Sequence, residues 1–301
     1  MPVCTATKFN GVMTALITPF KENGVDWMAL DRLIDFQIDQ GIHGIIPCGT
    51  TGESATLSHE EHRQVIRYVV ERVHGRIPII AGTGSNSTYE TIELTQSARQ
   101  AGADGALLIT PYYNKPTQEG LYQHYKAVSD AVPELPLVLY NVPSRTSISL
   151  ELNTIQRLSQ LDNIVSIKEA TANMEFASKI KMACQDRLTL LSGDDATFLP
   201  FLAIGGHGVI SVATNVAPAW MVNIWEAWHR GDWNTARNTH EALLKLNGLL
   251  FCETNPIPVK AAAEMLGLCG GDIRLPLTPL SHAHRDKLRQ ALTELGLIVQ
   301  K

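Results

Sequence analysis

Residues 137–168 read LVLYNVPSRTSISLELNTIQRLSQLDNIVSIK, and their pattern decides the fold. A short apolar run, Leu137–Asn141, is followed by a polar turn, a segment of helical periodicity and a second apolar run, Ile164–Lys168. This alternation is typical of a strand, a helix and the next strand around a parallel sheet. The stretch therefore predicts an α/β protein built from βα units.

The same alternation repeats through most of the chain, at the spacing of about 25–30 residues that suits one βα unit. The predicted strands are Gly11–Pro19, Gly44–Cys48, Ile77–Gly82, Gly105–Thr110, Leu137–Asn141, Ile164–Lys168, Leu188–Ser192 and Val209–Ala213. Eight such strands close a (β/α)8 TIM barrel. After Gly231 the pattern predicts only helices, which are Asn234–Leu250, Pro256–Gly267 and His282–Gly296. We therefore predict a (β/α)8 barrel over residues 1–230 and a C-terminal helical extension over residues 231–301.

The composition excludes several classes of protein. The 301 residues are 45% hydrophobic and carry a formal charge of 25 − 30 = −5, without a cluster of Lys and Arg. A nucleic-acid or anionic-membrane surface would need a basic cluster, and no apolar run approaches the ~20 residues of a membrane span. The first ten residues lack the apolar core of a signal peptide. The five cysteines, at positions 4, 48, 184, 252 and 269, form no CxxC pair, which argues against a disulfide framework or a zinc cage and favours a cytoplasmic protein.

Lys168 is the most informative candidate for catalysis. In a (β/α)8 barrel the active site lies at the C-terminal ends of the strands, and Lys168 ends the sixth predicted strand. Because side chains alternate along a strand, Lys168 points into the barrel mouth if Ile167 packs outward on the helices. A lysine desolvated there can attack a carbonyl carbon and form a Schiff base. The alternative is a structural lysine that pairs with Glu169 or with a carboxylate of a neighbouring loop.

Three further polar groups follow neighbouring strands. Tyr140 ends the strand before Lys168, so its phenol could move protons during imine chemistry, or it could simply cap the core. The turn Gly49-Thr-Thr-Gly52 offers amides and hydroxyls to a carboxylate, although a plain glycine-rich turn has the same sequence. Arg145 could hold a substrate carboxylate with its planar guanidinium or form a surface salt bridge.

Other sites that barrels often carry have little support in this sequence. Asp194 and Asp195 follow the seventh strand, where they would repel a phosphate. They could bind a divalent ion, but the interpretation that we favour is that one of them caps a helix from Ala196. His59 and His62 have the spacing of two metal ligands, but no third ligand is suitably spaced. A dinucleotide fingerprint and a P-loop are also missing from the sequence. We therefore expect neither a metal nor a separate cofactor.

Taken together, the motifs resemble those of the dihydrodipicolinate synthase / N-acetylneuraminate lyase family of pyruvate-dependent class I aldolases, along nearly the whole chain. The segments that carry the resemblance are Gly49-Thr-Thr-Gly-Glu53, Pro111-Tyr-Tyr-Asn-Lys-Pro116, Tyr140-Asn-Val-Pro-Ser-Arg145, Ile167-Lys-Glu169, Leu191-Ser-Gly-Asp-Asp195, Gly206-His-Gly-Val-Ile-Ser211 and Asn255-Pro-Ile-Pro-Val-Lys260. Arg145 resembles the arginine with which synthases of this family hold the carboxylate of aspartate semialdehyde, and which sugar-acid lyases typically lack. The resemblance therefore implies condensation of pyruvate with L-aspartate 4-semialdehyde in the diaminopimelate branch of lysine biosynthesis.

The resemblance also implies a role for each matching residue. Lys168 forms the Schiff base with pyruvate, so the reaction needs no added cofactor. Tyr140, Thr51 and Tyr113 form a proton relay, with Tyr113 supplied by the adjacent subunit of a homotetramer that is a dimer of dimers. The substrate-binding residues are Thr50, Thr51, Arg145, Gly193 and Ile210.

Lysine-sensitive members of the family imply a regulatory site for free L-lysine at a subunit interface. The matching residues are Ala55, His59, His62, Gly84, Asn86, Glu90 and Tyr112. Glu90 could pair with an amino group, but it also fits a capping box with Ser87, as Glu61 does with Ser58.

Two alternative functions of the protein stay open. One is a lyase for another 2-keto-3-deoxy acid, and the other is a catalytically silent barrel with a binding or regulatory role.

Overall fold

The computed structural model describes residues 9–22 and 24–299. Cys4 and most of the N-terminal stretch that we expect to lack a signal peptide therefore lie outside the described residues. The four other cysteines are free thiols. No helix within the described ranges is both long enough and apolar enough to cross a membrane.

All eight predicted strands are present, and several are shorter than predicted. In chain order the strands are β1 Gly11–Ala15, β2 Phe20–Lys21, β3 Gly24–Val25, β4 Gly44–Ile46, β5 Ile80–Gly82, β6 Gly105–Ile109, β7 Leu137–Asn141, β8 Ile164–Glu169, β9 Thr189–Ser192 and β10 Gly208–Ser211. β1 ends at Ala15, four residues before the predicted end at Pro19. The antiparallel pair β2 and β3 was not predicted, because two-residue strands are too short to show a period.

The helices follow the strands as the alternation predicts. They are α1 Trp27–Asp39, α2 His59–Val73, α3 Thr88–Ala101, α4 Gln118–Ala131, α5 Pro143–Thr146, α6 Leu152–Leu158, α7 Met174–Cys184, α8 Phe198–Ala203, α9 Pro218–His229, α10 Trp233–Leu249, α11 Ile257–Met265 and α12 His282–Glu294. The three helices predicted after Gly231 correspond to α10, α11 and α12, with ends that differ by at most two residues. Helix ends are the part of a helix that a periodic pattern defines least well.

The eight predicted strands belong to one sheet, in the order β4-β1-β10-β9-β8-β7-β6-β5. The pairs for which a register is defined are parallel. Helices connect the successive strands of this sheet, so the predicted (β/α)8 architecture with C-terminal helices is confirmed.

Two compact units can be distinguished by their internal contacts. Among the described residues, one consists of residues 9–11 and Pro78–Ile210, and the other of Val12–Ile77 and residues 211–299. In the first unit, apolar residues of β6, β7 and β8 form a core with α4, α6 and α7. In the second unit, β1 pairs with β4, and α10 and α11 both pack against α12. The predicted domain boundary between residues 230 and 231 stays a prediction.

Candidate active site

The ends of β7 and β8 place Tyr140 and Lys168 side by side. The two residues are partners in the parallel register. Nζ of Lys168 lies 4.3 Å from the centroid of the Tyr140 ring. Both side chains are buried, with exposed fractions of 5% for Lys168 and 7% for Tyr140. The structure thus holds a buried amine against the face of an aromatic ring, where a cation is favourably placed.

The direction of Lys168 follows from the packing of its neighbour Ile167. Ile167 is fully buried in the hydrophobic core that includes Leu121 and Tyr125 of α4 and Ile180 of α7. It therefore faces the helices, and alternation turns Lys168 to the other face of β8. The prediction for Lys168 depends on the condition that Ile167 packs on the helices, and this condition is met.

Gly193, in the loop after β9, leaves the space that Lys168 occupies. A Cβ atom at position 193 would lie 3.1 Å from Cε of Lys168 and 2.5 Å from Cβ of Ala170. The Gly193 N–H donates to the carbonyl oxygen of Glu169 over 2.8 Å, which ties this loop to the end of β8. A side chain at position 193 would therefore displace Lys168 or the loop.

The carboxylate of Glu169 lies on the face of β8 opposite Lys168. Its Oε2 accepts a hydrogen bond from Nδ2 of Asn141 at 2.8 Å, and its Oε1 accepts one from the Thr171 N–H at 2.7 Å. Burial raises the pKa of Glu169, while these hydrogen bonds oppose the shift. The alternative in which Lys168 pairs with Glu169 is therefore wrong.

In the second unit, the threonine turn is held by residues of the C-terminal part of the chain. Thr51 is buried, and its Oγ1 accepts a hydrogen bond from Nδ2 of Asn255 at 3.0 Å. The turn closes on itself, since the N–H groups of Gly52 and Glu53 donate to the carbonyl oxygens of Gly49 and Thr50. Thr50 is half-buried.

Directly after this turn, Glu53 and Lys260 form an ion pair whose side chains are each only 1% exposed. Nζ of Lys260 lies 2.6 Å from Oε1 of Glu53 and 4.2 Å from the centroid of the Phe20 ring. The Arg274 N–H donates to the other carboxylate oxygen. Burial lowers the pKa of Lys260, and the attraction of Glu53 opposes this. Sequence reasoning assigned no role to this pair, although Lys260 follows the largely apolar residues Pro256-Ile-Pro-Val259, which is a signal of a buried charge that needs a partner.

Arg145 and Tyr113 are exposed. Arg145 lies in α5, directly after β7. Tyr113 is 90% exposed in the loop after β6, so it does not pack with Lys168 and Tyr140 of its own chain. Ile210 is buried in β10.

The residues considered for metal or phosphate have other surroundings. In the described part of the chain, no group of three or more His, Cys, Asp and Glu could hold a metal ion. Asp194 caps the turn before α8, since its Oδ2 accepts hydrogen bonds from the N–H and the hydroxyl of Thr197. The helix begins at Phe198, two residues later than predicted, because the first turn after Asp195 is not helical.

The residues matched to a lysine site fall into both units. In the second unit, Ala55 and His59 are exposed and His62 is buried. In the first unit, Glu90 is half-buried beside Ser87, the N-cap residue of α3. The capping box predicted for Ser87 and Glu90 forms only in part. Oγ of Ser87 accepts from the Glu90 N–H, but the Glu90 carboxylate accepts a hydrogen bond from the Ser85 hydroxyl instead of completing the box.

Asn114 connects two of the remaining residues. Its Nδ2 donates to the carbonyl oxygen of Asn86, and its N–H donates to the carbonyl oxygen of Tyr112, both over 2.9 Å. Gly84 lies where a Cβ atom would come within 2.3 Å of the Ile109 nitrogen, so only glycine fits there. The segment before α3 and the loop that carries Tyr112 and Tyr113 are thus in direct contact.

Comparison with known proteins gives consistent matches over nearly the whole chain. The model of the Dihydrodipicolinate synthetase family matches residues 8–295. A protein of Magnetococcus marinus named 4-hydroxy-tetrahydrodipicolinate synthase is 60% identical over 290 residues, which are 96% of this chain and 99% of that protein. The chloride-inhibited dihydrodipicolinate synthase of Acinetobacter baumannii, solved in complex with pyruvate, has a TM-score of 0.94 at 49% identity and covers 96% of this chain and 99% of its own. The lysine-bound enzyme of Cyanidioschyzon merolae has a TM-score of 0.94 at 41% identity, over 96% and 99% of the two chains.

Proposed function

The chain belongs to the dihydrodipicolinate synthetase family, and on this premise we propose that it condenses pyruvate with L-aspartate 4-semialdehyde, as a 4-hydroxy-tetrahydrodipicolinate synthase does. It is an enzyme of the pyruvate-dependent, Schiff-base-forming lyases. The observation that carries the proposal is the buried amine of Lys168, held 4.3 Å from the centre of the Tyr140 ring at the ends of adjacent strands. The product would enter the diaminopimelate branch of lysine biosynthesis in the cytoplasm.

In the proposed mechanism, the Lys168 amine attacks the keto carbon of pyruvate and water leaves, which forms a protonated imine. The face of the Tyr140 ring stabilises this cation. Loss of a proton from the methyl carbon gives an enamine, which attacks the aldehyde carbon of the second substrate. The amine of that substrate then attacks the imine carbon, and Lys168 leaves as the ring closes. Tyr140 moves protons between these steps.

The remaining roles rest on the resemblance. Thr51 and Tyr113 would share the proton relay with Tyr140. The exposure of Tyr113 suits a side chain given to an adjacent subunit of a homotetramer. Thr50, Gly193 and Ile210 would line the pyruvate site, and the position of Gly193 next to Cε of Lys168 supports its place there. No metal or further cofactor takes part in this proposal.

The test of the activity is pyruvate-dependent disappearance of aspartate semialdehyde, coupled to the downstream reductase, in the wild type and in Arg145→Ala. We expect the wild type to consume the semialdehyde. We expect Arg145→Ala to lose about 10- to 150-fold in specificity for it, since a charge-assisted contact to a carboxylate contributes about 1.5–3 kcal/mol. Imine formation with pyruvate should survive in this variant, because Lys168 and Tyr140 are unchanged.

Arg157→Ala is the control, because Arg157 is a half-buried arginine of α6 whose guanidinium forms an ion pair with Glu119 on the surface. It should keep wild-type activity. A wild type that cleaves or forms sugar acids and ignores the semialdehyde would instead identify a lyase for another 2-keto-3-deoxy acid. Failure of Arg145→Ala to trap pyruvate would place Arg145 in the site of the first substrate.

We also propose that free L-lysine inhibits the enzyme at a site distinct from Lys168. The carboxylate of Glu90 is half-buried and could pair with an amino group of lysine. The Asn114 contacts to Asn86 and Tyr112 offer a short route by which binding could move Tyr113. We expect lysine to inhibit the wild type at saturating pyruvate, and Glu90→Ala to lose the inhibition while catalysis is kept.

Glu93→Ala provides the control for this titration, because Glu93 lies on the same helix, where it accepts a hydrogen bond from the Tyr89 hydroxyl. It should remain as sensitive to lysine as the wild type. Wild-type activity that is unchanged at millimolar lysine would show that Glu90 and its neighbours serve only the fold.

A further inference from the structure

The last two residue pairs of β7 and β8 lie on opposite faces of the sheet and carry different functional groups. Tyr140 pairs with Lys168, and the following pair is Asn141 with Glu169. Because successive side chains point to opposite faces, the first pair faces the proposed chemistry and the second lies behind it. The proposed mechanism uses only the first pair.

Asn141 and Glu169 form a connected set of hydrogen bonds, which we call the Asn141–Glu169 clamp. Nδ2 of Asn141 donates to Glu169 over 2.8 Å, and its Oδ1 accepts from the Leu150 N–H at 2.9 Å. The other oxygen of Glu169 accepts from the Thr171 N–H at 2.7 Å. Asn141 and Glu169 are 0% and 2% exposed, so an unpaired polar atom here would be costly.

The pairing of β7 with β8 is irregular at its other end. Leu137 pairs with Ile164, but the next residue, Val138, pairs with Ser166, so Val165 has no partner of its own. Such a bulge offsets the pairing of the following residues by one position. A shift by one residue would turn Lys168 to the opposite face, away from Tyr140.

We propose that Asn141 and Glu169 are positioning residues, which fix the register of β7 against β8 beyond the bulge and so hold Lys168 against Tyr140 for attack on the keto acid. This inference rests on the proposed function. Of these hydrogen bonds, the one from Asn141 to Glu169 joins the two strands, and it forms in the register in which the two residues are partners. An apolar pair at the same positions would fill the space without favouring one register over another.

The test exchanges the two functional groups. In Glu169→Gln, the amide oxygen can accept from the Thr171 N–H, but the NH₂ group then faces Nδ2 of Asn141, and two donors oppose each other. In Asn141→Asp, two carboxylates face each other. In the double variant Asn141→Asp/Glu169→Gln, the aspartate accepts from Leu150 and from the glutamine amide, and the glutamine oxygen accepts from Thr171. The double variant thus restores the hydrogen bonds and keeps the net charge.

The measurement is the rate of imine formation with saturating pyruvate on folded protein, followed by borohydride trapping, together with the urea midpoint of unfolding. We expect each single variant to form the imine about 10- to 100-fold more slowly, and the double variant to return to within about threefold of the wild type. Asn163→Asp is the matched control. It removes buried donations to the carbonyl oxygens of Val132 and Leu135 at the opposite end of β8. It should lower the urea midpoint and leave the rate of imine formation on folded protein unchanged.

Each outcome decides between the proposals. A wild type that traps no pyruvate on Lys168 contradicts the proposed function itself. If the wild type traps pyruvate and Glu169→Gln does so equally fast, only the positioning role is wrong. A double variant that folds but stays as slow as the single variants would also overturn the clamp, because the charge at position 169 would then matter instead of the hydrogen bonds. If a single variant fails to fold, rescue of both folding and rate in the double variant supports the clamp, and its absence contradicts it.

Discussion

Lys168→Ala is expected to abolish covalent trapping of pyruvate. In the wild type, borohydride should reduce the imine between pyruvate and Nζ of Lys168, and mass spectrometry of the peptides should find the adduct on this residue. The variant lacks the amine, so no adduct should form and condensation should stop. Its fold should persist, because the amine of Lys168 packs on the face of the Tyr140 ring, and its loss leaves no buried charge without a partner.

Lys179→Ala is the matched control for the trapping experiment. Lys179 lies on α7 and forms an exposed ion pair with Glu175, 2.5 Å away. It should trap pyruvate as the wild type does. A reduced adduct on another lysine of the wild type, or the absence of any adduct, would contradict the Schiff-base mechanism.

Lys260→Met is expected to have the largest effect on stability. The substitution keeps most of the side-chain volume but leaves the carboxylate of Glu53 buried without its cation. Breaking a buried ion pair in this way costs about 3–5 kcal/mol in the free energy of unfolding. The midpoint of urea denaturation should fall accordingly. The double variant Lys260→Met/Glu53→Gln should recover much of this loss, because it removes the unpaired charge and keeps an acceptor for the Arg274 N–H.

Lys245→Met tests whether burial is the cause. Lys245 also lies 2.6 Å from a carboxylate, that of Glu294, but these side chains are 51% and 48% exposed. An exposed pair contributes only about 0–1 kcal/mol, so this variant should unfold close to the wild-type midpoint. Equal losses in Lys245→Met and Lys260→Met would show that burial does not increase the contribution of the Glu53–Lys260 pair to the free energy of unfolding.

Local pattern was sufficient for the elements that carry the proposed chemistry. The alternation in residues 137–168 predicts β7 with both of its ends and β8 to within one residue. It also predicts that Lys168 and Glu169 face opposite ways, since that depends only on the period of a strand. The capping box of α2 is confirmed with both of its hydrogen bonds, because all of its atoms lie within four residues.

The box predicted for Ser87 and Glu90 shows where local pattern stops being sufficient. Ser87 and Glu90 have the same spacing as Ser58 and Glu61, but Ser85 offers a hydroxyl that competes for the Glu90 carboxylate. Which donor a carboxylate chooses depends on the path of the chain before the helix. A spacing rule contains no information on that path.

The βα repeat, the helical C-terminal segments and the position of Lys168 at the end of a strand could all be predicted without a structure, because each follows from the periods of strands and helices. Which polar groups contact each other became known from the three-dimensional arrangement of the chain. Glu53 and Lys260 are 207 residues apart, and Thr51 and Asn255 are 204 apart. A buried charge or hydroxyl must find a partner wherever the fold brings one within hydrogen-bond distance, and that neighbour is set by packing and register and not by spacing along the chain.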